Sequence, residues 1–161
     1  MLVPRRMSLP IVEFFALALW LGAAAVFSAV VAPAAFAVLP TRTLAGDVVG
    51  RVLPVIFYAG ISLGVLVVVL DTVDAEEWRW SGVVVAGTVI TVACAAAQFV
   101  VGSRIDLVRS RISGPVDSLP PGDPLRVEFG RLHGISVALL GIAMLAAAVA
   151  VVAIARNLAR R

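Results

Sequence analysis

The sequence predicts an all-α fold, an integral membrane four-helix bundle, and three observations carry that reading. The 161-residue chain is 61% hydrophobic and 14% charged, with a mean hydropathy of +1.07. A soluble domain holds roughly 45–50% apolar and about 25% charged residues. The apolar residues gather into four runs, about 11–39, 53–70, 82–102 and 132–155, each near the length a helix needs to cross a bilayer core. None of these runs alternates polar with apolar as a barrel wall would, which leaves helices as the spanning form. This balance excludes a water-soluble enzyme, a disordered chain and a nucleic-acid-binding module. A single Cys and a single His exclude a disulfide framework and a Cys/His zinc site within one chain.

The first run carries Glu13 as its only charge. It follows Arg5 and Arg6 as a secretory signal would, but it is far longer than the roughly 7–15 residues of a signal core, so it reads as a retained span. Pro33 inside it predicts a kink or local unwinding, because the carbonyl of Ala29 loses its donor. Pro40 and the 46–51 stretch are expected to separate it from the second run, which is uncharged. Asp71, Asp74, Glu76 and Glu77 then break the pattern, and Ser81 is placed to cap the third helix.

The third run has Gln98 as its most polar side chain. Beyond it, Val101, Ile105, Val108 and Ile112 keep a helical apolar stripe, with Arg104, Asp106, Arg109 and Arg111 off it. Pro115, Pro120, Pro121, Gly122 and Pro124 mark one long connection, and Asp123-Pro124 reads as an N-cap followed by a first-turn proline. Leu125, Phe129 and Leu132 form a stripe that answers the first one. The expectation is a single domain over residues 1–161 in which helices three and four extend beyond the bilayer as a hairpin, about 103–131. The alternative is that one of these stretches lies flat on the membrane surface.

All 13 basic residues are Arg, and the net charge is +3. Arginines crowd the ends of membrane helices, with stems on apolar surface and heads at lipid phosphate, which accounts for the charge without a nucleic acid. Four spans put both termini on one side. Arg5, Arg6, Arg79, Arg156, Arg160 and Arg161 fall there, against Arg42, Arg51, Arg104, Arg109, Arg111, Arg126 and Arg131 on the other. The arginines flanking the first and last spans favour cytoplasmic termini, and the Arg-only, Ala- and Val-rich composition favours a bacterial inner membrane. Small residues mark close helix contacts in lipid. They stand at Gly22, Ala25, Ala29, Ala32 and Ala35, at Gly60-x-x-x-Gly64, and at Gly130-x-x-x-Gly134 with Ala138 and Gly141. Such contacts serve one compact bundle or a homo-oligomer.

Polar groups at membrane depth are costly and therefore mark candidate sites. Arg51 and Tyr58 share a face at the start of span two, Gln98 and Arg104 end span three, and Arg131, His133 and Ser136 open span four. Together they predict a polar pocket at the mouth nearest the long connection. Each also has an ordinary reading: headgroup anchors for the arginines, an aromatic belt for Tyr58, a helix–helix bond for Gln98, an interfacial hydrogen bond for His133. Glu13, at the opposite mouth, is expected to pair with Arg79 or Arg156, and Cys94 to act as a small packing residue. No catalytic template is present, whether paired carboxylates, nucleophile motif, phosphate loop or HExxH. Hence no enzymatic activity, cofactor or metal is expected. His133 and Met144, about 16 Å apart along one helix, cannot share a copper ion.

Trp20-Leu21-Gly22, Val31-Ala32-Pro33-Ala34-Ala35-Phe36, Arg51-Val52-Leu53-Pro54 with Tyr58, and Phe129-Gly130-Arg131-Leu132-His133-Gly134-Ile135-Ser136 resemble the transmembrane-protein-205-like family, also known in bacteria as domain of unknown function 4149. The resemblance covers nearly the whole chain, and its most specific piece is Arg131-Leu132-His133-Gly134-x-Ser136. The resemblance implies a small four-helix membrane protein and no established activity. Three functions follow as expectations. The first is binding, or helping to move, a small solute or lipid headgroup through the pocket, with membrane lipid as a partner. The second is a haem- or porphyrin-linked redox protein with His133 as ligand across a homodimer. The third is a structural or partner-docking subunit that uses the hairpin.

Overall fold

A computed structural model describes the backbone of residues 5–74 and 81–160, and the side chains of 9–72 and 81–160. The chain forms four rods. The first is α1 (Arg5–Val26), a π-helical stretch (Phe27–Val31) and α2 (Ala32–Val38). The second is α3 (Arg42–Asp74). The third is α4 (Gly82–Ala95), a second π-helical stretch (Ala96–Gly102) and α5 (Ser103–Ser110), and the fourth is α6 (Pro124–Ala159). No strand occurs among the described residues. Every rod is long and apolar enough to cross a membrane. α3 packs along α4, α4 along α6, α6 along α1 and α1 along α3, so the rods close a ring in chain order.

The burial pattern is that of a protein dissolved in lipid. On α6 the buried positions are Leu132, Ser136, Leu140, Ala143, Ala147, Ala150 and Ile154, steps of three and four that hold one helix face inward. Much of that face is alanine, while Leu19, Val38 and Leu145 are at least 70% exposed. Water would penalise such an exterior, whereas lipid does not distinguish it from the core. The buried alanines of α6 let the rods approach closely there, which is how helices associate where no hydrophobic drive operates. The chain is an integral membrane protein.

Gly60 and Gly64 set the closest approach. A Cβ at Gly64 would stand 2.7 Å from the carbonyl oxygen of Gly87 on α4, and one at Gly60 would stand 2.9 Å from the Trp20 ring. Trp20 Nε1 donates to the carbonyl of Ile56 at 3.0 Å, which ties α1 to α3. The other small-residue motifs behave differently. Nothing lies within 4 Å of a Cβ placed at Gly22, Gly130, Gly134 or Gly141, so none of these glycines marks a close helix–helix contact.

The Pro33 irregularity is present as a π turn. The N–H of Ala32 reaches back to the carbonyl of Phe27, and the widened turn absorbs the donor that proline lacks. Ser81 and Asp123 both cap as expected: Ser81 Oγ accepts from Val84 N–H, and Asp123 accepts from Leu125 N–H with Pro124 in the first turn. The paired stripes also meet. Val101, Val108 and Leu132 form a second core with Ile105, Ile112, Leu125 and Phe129 packed against it.

Part of each of two expected breaks is helical instead. The first connection is confined to residues 39–41, and the 46–51 stretch lies within α3. Thr41 starts that helix, its Oγ1 accepting from Leu44 N–H at 3.2 Å, and Ala45 and Val49 are buried one turn apart. At the far end α3 continues through Asp71 to Asp74, with the Ser81 hydroxyl donating to the Asp71 carboxylate. Glu76, Glu77 and Arg79 lie outside the described residues. Glu13 is buried and has a partner, while Arg156 is exposed.

Candidate functional site

The irregularities of the second and third rods collect around one cavity of about 560 Å³. The first half of α3 supplies one wall, from Arg42 to Phe57. Ala97, Gln98 and Gly102 of the π stretch and Ile105, Asp106 and Arg109 of α5 supply the second. Phe129, Gly130, His133 and Ser136 of α6 supply the third. Phe36 of α2, Arg126 of α6, and Ile112, Gly114, Pro115, Val116 and Asp117 from the connection between rods three and four complete the lining, and the 3-10 turn Val116–Ser118 rests against α3. This volume falls in the range of small-molecule sites, roughly 300–1,000 Å³.

The backbone of these walls departs from α geometry where the cavity needs it. Pro54 has no N–H, so the carbonyl of Gly50 on the lining is released from its helical donor. The Ala96–Gly102 stretch widens the third rod around Gln98, and Ser103 Oγ donates to the Phe99 carbonyl at 2.7 Å. At membrane depth, irregular backbone is tolerated where it is covered by protein or lines a cavity.

Polarity is graded. Leu53, Phe57 and Ala97 make an apolar floor beside Gln98 and Ser136. Ser136 is 3% exposed. Its hydroxyl forms no hydrogen bond among the described residues, yet no fully enclosed side-chain oxygen there is left unsatisfied, so the oxygen faces the cavity. The rim is charged and balanced, with Arg42, Arg109 and Arg126 against Asp47, Asp106 and Asp117. Arg109 pairs with Asp47 at 3.7 Å and stands 5.5 Å from the Phe129 ring centroid. Gly46 and Gly50 leave the smooth helix face against which that guanidinium lies. Arg126 reaches Asp117 at 4.0 Å and donates to the Leu119 carbonyl at 2.6 Å, which holds the connection down on α6.

Of the seven residues singled out from sequence, the structure brings Gln98, His133 and Ser136 to this cavity, His133 on its exposed edge. Arg51, Arg104 and Arg131 are exposed and off the lining. Tyr58 is 50% exposed and meets Phe99 edge-on at 5.9 Å on the outer surface. The rim residues Arg42, Asp47, Asp106, Arg109, Asp117 and Arg126 were not legible as a group. A usable signal was the Gly46/Gly50 pair flanking Asp47, a flat helical surface beside a carboxylate. Among the described residues no three His, Cys, Asp or Glu side chains gather as a metal site.

Arg109 joins three rods, and Arg109→Ala is expected to cost about 1 kcal/mol. The half-exposed ion pair contributes roughly 0–1 kcal/mol and the ring contact about 0.5–1 kcal/mol. Thermal unfolding in detergent at low and high salt checks this, since salt should remove only the ion-pair share. Equal melting of variant and parent at low salt would show that the arginine ties nothing.

The model for a family described as "Domain of unknown function (DUF4149)" matches residues 15–112, about three-fifths of the chain. No curated protein and no solved structure matches.

Proposed function

This chain belongs to the DUF4149 family, and from that premise we propose that it is a non-enzymatic membrane protein that binds, or helps to move, a small solute or lipid headgroup through the cavity between rods two, three and four. The carrying observation is the buried Ser136 hydroxyl, directed into a cavity that also holds Gln98 and His133. That hydroxyl has no hydrogen-bond partner among the described residues, so water or a ligand in the cavity is what satisfies it. The π stretch on the same wall supports the reading, because such stretches recur at functional sites.

In this proposal the parts of rods three and four between about Gly102 and Leu132 stand outside the bilayer as a hairpin, which their charged flanks favour. The termini face the cytoplasm of a bacterial cell. The wider transmembrane-protein-205-like affiliation rests on Arg131-Leu132-His133-Gly134-x-Ser136, which lies beyond the matched residues.

The test is mass spectrometry of what the full chain retains when purified gently in detergent, with Ser136→Leu and Gln98→Leu beside it. The parent is expected to hold a stoichiometric small molecule or lipid, and each variant about tenfold less, the equivalent of one lost buried hydrogen bond. Identical retention by all three would overturn the reading. A Soret band lost in His133→Ala would replace it with haem binding.

A further inference from the structure

We infer that the cavity takes a zwitterion, a ligand carrying a phosphate and an ammonium group on a less polar body. The inference rests on the binding role proposed above and narrows its ligand class. Among the six charged rim residues, Asp47 and Arg109 satisfy each other, as do Asp117 and Arg126. Arg42 and Asp106 are left, one of each sign, and neither forms an ion pair among the described residues. They stand on adjacent walls, α3 and α5, which the Asp47–Arg109 pair holds together.

Arg42 lies in the first turn of α3, a 33-residue helix, and Thr43 beside it also lines the cavity. Helix N-termini favour negative charge through unpaired N–H groups and the aligned peptide dipoles, so this end suits the phosphate. Asp106 suits the ammonium. Both side chains are exposed and solvated, so neither requires a ligand, but a zwitterion is the class that engages both at once, in a rim whose charges already cancel. Below the rim, the Ser136 hydroxyl and Gln98 carboxamide face the same space beside Leu53 and Phe57. They match a linker that bears esters or hydroxyls above an apolar tail. At about 560 Å³ the cavity suits a ligand of drug size, so a membrane lipid would seat its headgroup there and leave its chains outside.

The experiment is calorimetric titration of the full chain in detergent with four probes. They are dihexanoyl phosphatidylethanolamine, dihexanoyl phosphatidylglycerol, glycerophosphoethanolamine and glycerol 3-phosphate. The two zwitterions are expected to bind about tenfold tighter than their anionic counterparts, and Arg42→Gln and Asp106→Asn each to lose about tenfold, one charge-assisted bond apiece. Both substitutions are at exposed sites, and unchanged melting confirms that the fold is intact. Tight binding of glycerophosphoethanolamine alone assigns a free solute, and binding of the dihexanoyl ester alone assigns a lipid headgroup. Equal or tighter binding of the anions, indifference to both substitutions, or failure of both zwitterions to bind overturns the inference. If Ser136→Leu still strips a retained molecule in any of those cases, the cavity reading stands without the zwitterion. If it strips nothing, both fall.

Discussion

Gly64→Ala is expected to be the most damaging single-methyl change in the protein. Its Cβ would run into Thr91 Oγ1 and stand 2.7 Å from the Gly87 carbonyl oxygen and 3.0 Å from the Thr91 nitrogen. Two of those obstacles are backbone, and Thr91 Oγ1 is itself held by its bond to the Gly87 carbonyl at 2.9 Å. Relief therefore requires α3 and α4 to separate along their most extensive contact. In lipid that contact is held by close packing, so separation removes the interaction itself. The cost is expected at the upper end of the roughly 1–3 kcal/mol of an overpacked core. Gly22→Ala is the control, since nothing lies within 4 Å of its Cβ and alanine favours helix over glycine by about 1 kcal/mol. Denaturant titration in mixed micelles should show Gly64→Ala far less stable than the parent and Gly22→Ala equal or better. Equal stability of the two variants would mean that the α3–α4 crossing does not hold the bundle.

Trp20→Ala is the second large effect. Trp20 is 7% exposed, fills the space above Gly60 and donates its indole N–H to the Ile56 carbonyl. In soluble cores truncating a tryptophan costs roughly 3–5 kcal/mol. Here the separated helices also remain in lipid, so the water-transfer share falls away and about 2–3 kcal/mol of packing and bonding should remain. Trp20→Phe keeps most of the ring volume and loses the donor, for which about 0.6–1.7 kcal/mol is expected. The order parent, Phe, Ala in unfolding midpoints checks the assignment. If Phe is as damaging as Ala, the hydrogen bond carries the contact and the packing argument is wrong.

The helical framework was legible in particular residues. Apolar runs of spanning length marked the rods, and Ser81 and Asp123-Pro124 marked two starts because capping depends on a few neighbouring atoms. The stripes Val101, Ile105, Val108, Ile112 and Leu125, Phe129, Leu132 meet as their spacing implied. Glycine was a poor guide to breaks. Gly46 and Gly50 looked like a connection and are helical, since Thr41 caps the helix ahead of them and Arg109 needs their bare surface. Glycine motifs were equally mute about contact: Gly60 and Gly64 meet a neighbouring helix, whereas nothing lies within 4 Å of a Cβ at Gly130, Gly134 or Gly141.

The candidate site divides the same way. Gln98, His133 and Ser136 could be chosen from sequence because a polar side chain in an apolar run is costly wherever it sits. Arg109 and Asp47, 62 positions apart, could not be chosen, because each reads alone as an ordinary solvated charge. Sequence alone therefore determined what depends on local composition and period: lipid as solvent, four helices, their caps and their apolar faces. The tertiary structure alone decided which glycines face a neighbour, how the rim charges pair and where the cavity lies. Those depend on the rotation and approach of whole helices, and lipid, which solvates every apolar face alike, leaves that choice to contacts between residues far apart in the chain.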